Sequence, residues 1–317
     1  MFIVKYLKLV EIQTKVASVI PFILGTLYAV FRFGDFDFLH FALMLISLLS
    51  FDMATTAINN YYDYMKAKRK HGYGYEVHNA IVQYHMNPRG VAAIIAVLLV
   101  LAIGAGLWLF METGWLLLLL GGLSFAVGIL YSFGPLAISR MPLGEIFSGL
   151  FMGFVIPFVS VYIHAQDKLA SLDLDLQRLT VTLHVDLLET LLILLISIPA
   201  IFGIANIMLA NNICDIEDDI ENRRYTLPVY IGRPRAIRLF GWLYYVSYID
   251  LIVLILLKVP LLLVILVLTT LIPVRKNLIK FADHPVKQFT FKLAVQNFVL
   301  ISAGRIVILT LALLFML

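Results

Sequence analysis

Nine long apolar runs decide what this chain can fold into. They cover residues 14–31, 38–58, 90–110, 115–132, 143–163, 187–210, 236–257, 259–274 and 293–316. A helix needs roughly 20 apolar residues to cross about 30 Å of hydrocarbon. Backbone groups in that layer find no water, so each run must bond its own backbone as a helix. The eighth run is short and is parted from the seventh only by Lys258-Val259-Pro260. Pro260 reads as the start of a new helix rather than a kink. Composition agrees, with 62% hydrophobic and only 14% charged residues among 317. A soluble domain would be about half apolar and a quarter charged. The expected fold is all-α, a polytopic membrane helical bundle of nine transmembrane helices. Residues 1–317 are expected to form one integral-membrane domain in the lipid bilayer.

The positive charges orient the bundle. Arg32, Lys168, Arg178 and Lys258 fall on one side, and Arg305 lies within the last run. The other 19 of the 24 Lys and Arg residues fall on the opposite side. Basic loops stay in the cytoplasm, so that side is expected to be cytoplasmic, in the plasma membrane. The same bias accounts for the net charge of +4, which is no nucleic-acid footprint. Lys5, Lys8 and Lys15 precede the first run with no small-residue cleavage site after it, so that run is expected to be retained. Cys214 is the one cysteine, which excludes an intrachain disulfide.

One string occurs twice on the cytoplasmic side. Asn59-Asn60-Tyr61-Tyr62-Asp63 and Asn211-Asn212-Ile213-Cys214-Asp215 share the pattern Asn-Asn-x-x-Asp. The second continues to Asp219, and residues four apart share a helix face. Both strings precede basic loops, one with Lys66, Lys68, Arg69 and Lys70, the other with Arg223 and Arg224. A single copy reads as a polar helix end. Two copies at one membrane face make a set of oxygen ligands suited to a hard divalent cation and a phosphate. Asp63, Asp215 and Asp219 are the leading catalytic and metal-ligand candidates, with Asn59 and Asn211 one turn before their acids. Glu217 and Asp218 turn away from the 215/219 face.

In these motifs the chain resembles the UbiA superfamily of membrane prenyltransferases. The likeness is carried by the run from Glu11 through Lys15 into Pro21-Phe22-Ile23-Leu24-Gly25-Thr26, and by the first acidic motif. It continues in Leu130-Tyr131-Ser132-Phe133-Gly134-Pro135 and Pro142-Leu143-Gly144-Glu145, then in the stretch from Asn211 through Asp219 to Arg223-Arg224-Tyr225-Thr226-Leu227. The first motif departs from the family's usual form, since Asn60 stands for its first Asp and Ala67 for its last. Most of the negative charge then comes from Asp215 and Asp219.

The resemblance implies a Mg²⁺-dependent enzyme that moves a polyprenyl group from polyprenyl diphosphate to an aromatic acceptor. The expected acceptor is 1,4-dihydroxy-2-naphthoate, decarboxylated on the way to demethylmenaquinone; 4-hydroxybenzoate and homogentisate are the alternatives. Lys15, Lys66, Arg69, Arg223 and Arg224 are the diphosphate candidates it implies. Transport, a different class, would spread polar groups through many spans rather than gather them at one face. No oligomeric state is expected on these grounds.

Two charges lie deep in apolar runs, Asp52 and Arg305. A charge there is functional or paired. Asp52, two turns deeper than Asn59, is a candidate for the acceptor pocket, as is Tyr131. The competing expectation pairs Asp52 with Arg305 or gives each of them water.

Overall fold

The structure is a computed structural model that describes residues 2–66, 79–132, 138–175 and 177–316. Among these, eight helices are long and apolar enough to cross a membrane, and a shorter apolar helix covers Trp115–Tyr131. Together they stand on the nine runs. The chain is a multi-pass membrane helical protein. The seventh and eighth spans are separate helices, as the proline predicted. Lys258 adopts a left-handed backbone with φ 64°, and the Val259 N–H closes back on the Leu254 carbonyl at 3.0 Å. That closure ends one helix, and Pro260 opens Leu261–Leu268.

The chain divides into two compact units. One holds residues 1–19 and 38–129. Its main packing joins the helices Phe38–Lys66 and Pro88–Thr113. Ser47 donates to the Ala102 carbonyl at 2.8 Å across them, and Phe51 stacks on Phe125 at 3.9 Å.

The same unit buries an ion pair. Lys15 is 3% exposed. Its ammonium donates to Asp52 Oδ1 at 2.6 Å, to the Asp52 carbonyl at 3.1 Å and to Thr56 Oγ1 at 2.8 Å. Ser18 donates to Asp52 Oδ2 at 2.6 Å. All three ammonium donors and both carboxylate oxygens are therefore engaged. Lys15, expected on a diphosphate, and Asp52, expected in an acceptor pocket, are bonded to one another in this geometry. An ammonium shielded from water holds whatever acceptors surround it, because leaving it unpaired is costly.

The other unit holds residues 20–37 and 130–317. Its centre is the helix Leu187–Cys214, capped at its start by Asp186, whose side chain accepts from the Glu189 N–H at 2.8 Å. The helix Gly144–Leu150 continues through a π-helical turn, Phe151–Val155, into Ile156–Leu169. The wide turn leads into Pro157, which has no N–H to give the preceding turn. Glycine is required here for close approach. A Cβ on Gly153 would lie 2.4 Å from the Ile201 Cα.

Between Leu169 and Leu187 the connecting segment forms an antiparallel hairpin, β1 (Ala170–Asp175) and β2 (Thr180–Val185). Leu172 pairs with Leu183 and Leu174 with Val181, while Asp173 meets Thr182 on the opposite face. This small sheet is absent from the all-helical expectation, although its residues alternate with the period of a strand.

Arg305 lies against Asp250, not Asp52. Its Nη2 donates to Asp250 Oδ1 at 2.8 Å and its Nε to Oδ2 at 3.0 Å. Further bonds reach the carbonyls of Ser247 and Ile301 at 3.2 Å, and the guanidinium covers the Tyr248 ring at 4.7 Å. Asp250 sits at the start of the short helix Asp250–Leu256 within the seventh run, a further charge in an apolar run, and the pair closes across 55 residues. Replacing Arg305 with Met leaves Asp250 buried and alone. That is expected to cost about 3–5 kcal/mol, read as a lower Tm of the detergent-purified protein. The double variant Arg305→Met/Asp250→Leu should recover most of the loss; no recovery would mean that packing, not charge pairing, sets the cost.

Candidate active site

The second acidic motif closes the helix Leu187–Cys214. Asp215 lies at φ −102° and ψ 13°, outside helical geometry, and a short helix, Ile216–Glu221, follows it. The chain then reverses. Arg223 has φ 54°, and the Arg224 N–H bonds the Asp219 carbonyl at 2.8 Å. This reversal carries Arg224 back onto the acid five residues before it. Arg224 Nε lies 3.3 Å from Asp219 Oδ1, and Thr226 donates to Asp219 Oδ2 at 2.9 Å. Asp219 is 2% exposed. Burial pushes its carboxyl above the ordinary carboxylate range, and the Arg224 charge and Thr226 hydroxyl oppose that shift.

Asp215 has its own cation. Lys287 donates to Asp215 Oδ2. The lysine is delivered by packing far along the chain. Leu209, Ala210 and Ile213 of the motif helix join a buried cluster with Phe240, Tyr244 and Phe281. The Phe281 ring packs on that of Phe240 at 4.5 Å, tilted by 35°, and lies near the end of the helix Leu271–Asp283. The loop that follows is pinned by Thr290, which accepts from the Val286 N–H at 2.8 Å and donates to the His284 carbonyl at 2.7 Å. Lys287 is held within that loop.

The two asparagines of this motif differ in their surroundings. Asn212 is 1% exposed and donates to Glu145 Oε1 at 2.9 Å. Asn211 is half-buried and makes a long contact, 3.5 Å, from its amide nitrogen to Asn212 Oδ1. That leaves the Asn211 carbonyl oxygen as a remaining acceptor on the motif. Glu217 pairs outside with Arg233 at 2.7 Å, and Asp218 is exposed. Arg223 is exposed as well.

The first motif ends the helix Phe38–Lys66. Asn59 is half-buried and Asp63 exposed, one turn apart. Asn60 is a fold residue. Its amide donates to the carbonyls of Leu9 and Thr56 at 3.3 Å, and its Oδ1 accepts from the Ala80 N–H at 3.3 Å. Asn79 donates to the Asn60 carbonyl at 2.7 Å and caps the helix Ala80–Gln83. Lys66 is the last described residue of its helix, and Arg69 lies outside the described residues.

Asp215, Asp219 and Asn211 are all hard oxygen donors, a set that fits a magnesium-like ion. No group of three or more His, Cys, Asp or Glu residues able to hold a metal occurs among the described residues. Two carboxylates suit an ion that keeps its waters and takes further ligands from a phosphate. Sequence reasoning overlooked Lys287 and Glu145 as site residues. Lys287 was one of many loop cations, and Glu145 stood within a quoted motif without a role.

The chain matches the UbiA prenyltransferase family over residues 18–298. It is 34% identical over 240 residues to the 1,4-dihydroxy-2-naphthoate octaprenyltransferase of Bacillus subtilis (strain 168), across 75% of this chain and 69% of that protein. A UbiA homolog from Archaeoglobus fulgidus bound to GPP and Mg²⁺ aligns with TM-score 0.62 and 17% identity, over 98% of this chain and 99% of the other. The apo UbiA homolog from Aeropyrum pernix K1 aligns with TM-score 0.62 and 19% identity, over 93% and 98%. These two structures share the fold.

A divalent cation taken up at Asp215 would have to displace Lys287 from it. Lys287→Met should therefore tighten Mn²⁺ binding by about fivefold, the worth of a partly exposed ion pair. Titration of the purified protein by electron paramagnetic resonance reads this directly. Unchanged or weaker Mn²⁺ binding would show that the lysine does not compete.

Proposed function

The chain belongs to the UbiA prenyltransferase family, and on that premise we propose that it prenylates 1,4-dihydroxy-2-naphthoate in menaquinone synthesis. The donor is a polyprenyl diphosphate and the product a demethylmenaquinol, the reduced form of demethylmenaquinone, with the ring carboxyl lost as CO₂. The observation that carries this reading is the pairing of each acid of the second motif with its own cation, Asp215 with Lys287 and Asp219 with Arg224. Such a set is electrically balanced at rest. It can exchange partners when a diphosphate and a dication arrive together, acids turning to the dication and bases to phosphate oxygens.

Asp215, Asp219 and Asn211 are the residues of this unit that would hold Mg²⁺. When bound, the ion supplies positive charge to the departing diphosphate. Thr226 keeps Asp219 oriented through its 2.9 Å bond. Lys287, Arg224 and Arg223 neutralise the remaining phosphate charge. The allylic C–O bond breaks with its electron pair leaving on the diphosphate. The electron-rich ring forms the new C–C bond, and loss of CO₂ returns an electron pair to the ring. Apolar surroundings keep water from the allylic cation. Asn59, Asp63, Lys66 and Arg69 are assigned to the same reaction by role.

The family match runs through both compact units, which supports treating residues 1–317 as one functional domain. The strong bias of Lys and Arg to one side supports a plasma-membrane protein with its active-site loops in the cytoplasm.

Purified protein with Mg²⁺, a polyprenyl diphosphate and 1,4-dihydroxy-2-naphthoate should release diphosphate and yield a prenylated naphthoquinol. Turnover of 4-hydroxybenzoate or homogentisate in its place would overturn the acceptor. Asp215→Ala should lower kcat about a hundredfold or more, and full turnover by that variant would remove the acid from the mechanism.

A further inference from the structure

Among the described residues, two buried polar atoms beside the second motif have no hydrogen-bond partner. One is Glu145 Oε2 and the other the Tyr131 hydroxyl. Glu145 is 4% exposed, so water does not reach it freely. Its other oxygen, Oε1, already accepts from Asn212 at 2.9 Å. Tyr131 approaches the same place from the end of the helix Trp115–Ser132. A Cβ on Gly144 would lie 3.6 Å from its hydroxyl, and the phenol stands within charge range of Glu145. Ser148 gives its own proton to the Glu145 carbonyl at 3.1 Å and lies beside the Tyr131 hydroxyl as its nearest polar side chain, so Glu145 Oε2 is the atom with no protein neighbour to bond it. Native proteins rarely bury polar atoms without partners, because the desolvation is left uncompensated. A buried carboxylate oxygen left this way, with a phenol beside it, marks a spot that a ligand completes.

The location is informative. Asn212, held by Glu145, precedes Asp215 by three residues and Asp219 by seven. Glu145 also lies within electrostatic range of Asp219. The orphan atoms therefore adjoin the acids assigned to the diphosphate end of the reaction. A carboxylate oxygen accepts hydrogen bonds and repels anions, so it suits neither phosphate nor a ring carboxylate. It suits a hydroxyl.

We propose that Glu145 and Tyr131 form a subsite for a ring hydroxyl of the aromatic acceptor, Glu145 Oε2 accepting a hydrogen bond from that hydroxyl beside the second acidic motif. This rests on the prenyl-transfer reading above. The bond orients the ring and turns its carboxylate away from Glu145. It also pushes electron density into the ring, whose carbon is the nucleophile. The proton stays on the hydroxyl, and Tyr131 completes the second polar contact.

The test uses the full-length enzyme with 1,4-dihydroxy-2-naphthoate and its two mono-O-methyl ethers. In the native protein, methylation of the recognised hydroxyl should lower kcat/KM by roughly ten- to a hundredfold, the worth of a hydrogen bond to a charged group. Glu145→Gln keeps a carbonyl oxygen for Asn212 and removes the second acceptor. It should abolish that preference and raise the acceptor KM, with the KM for polyprenyl diphosphate unchanged. If Glu145→Gln fails to fold, Tyr131→Phe carries the test, with a smaller loss in the same direction. Equal use of both ethers and the parent acceptor by the native enzyme would overturn the proposal, leaving water as the partner of the orphan atoms. So would a Glu145→Gln enzyme that changes only its diphosphate or Mg²⁺ dependence, since Glu145 would then act through Asn212. Absence of diphosphate release by the native enzyme with any of these acceptors is the separate failure of the prenyl-transfer reading.

Discussion

A charge in a layer without water must carry its counter-charge with it, and this chain is arranged around that requirement. Lys15 meets Asp52, and Arg305 meets Asp250. Arg32 meets Glu189 through three bonds of 2.5–3.2 Å, Arg32 near the end of its helix and Glu189 in the first turn of its own. Each pair joins segments far apart in sequence. Lys15 is the fullest case, with its three donors engaged by Asp52 and Thr56.

The same rule, relaxed, governs the membrane surface. Asp215 and Lys287 are a pair whose lysine remains about half exposed. Asp219 is buried, yet its Arg224 is only partly covered. These pairs are open enough to exchange partners, unlike the pair at Arg305 and Asp250, where both side chains are nearly inaccessible. The buried pair and the pairs of the proposed site thus differ in access more than in distance. Glu145 stands between the two classes. It is buried like a structural acid, with one oxygen committed to Asn212 and one uncommitted.

The two copies of Asn-Asn-x-x-Asp show what a repeated pattern conceals. Asn60 and Asn212 occupy the same place in the string, and both are buried. Asn60 ties its helix to the N-terminal segment and to the Ala80–Gln83 turn, whereas Asn212 is held by a carboxylate. Their roles follow from which elements pack beside them, and no local pattern carries that. Alternation along Ser171–Asp175 and Thr180–Val185 did mark strands, but the segment lay in a long loop between spans and its periodicity is short.

By itself the sequence determined the membrane class, the places of the nine apolar helices, the break at Pro260 and the acids of the second motif. These follow from local quantities, namely run length, proline geometry and helical spacing. Only the tertiary structure decided how the charges are shared. Lys287 reaches Asp215 because Phe281 packs on Phe240, and Arg305 finds Asp250 across 55 residues. Lys15 turns inward to Asp52. A long, flexible basic side chain has many acids within reach along a chain. Which one it meets is set by the packing of apolar surfaces that do not name it.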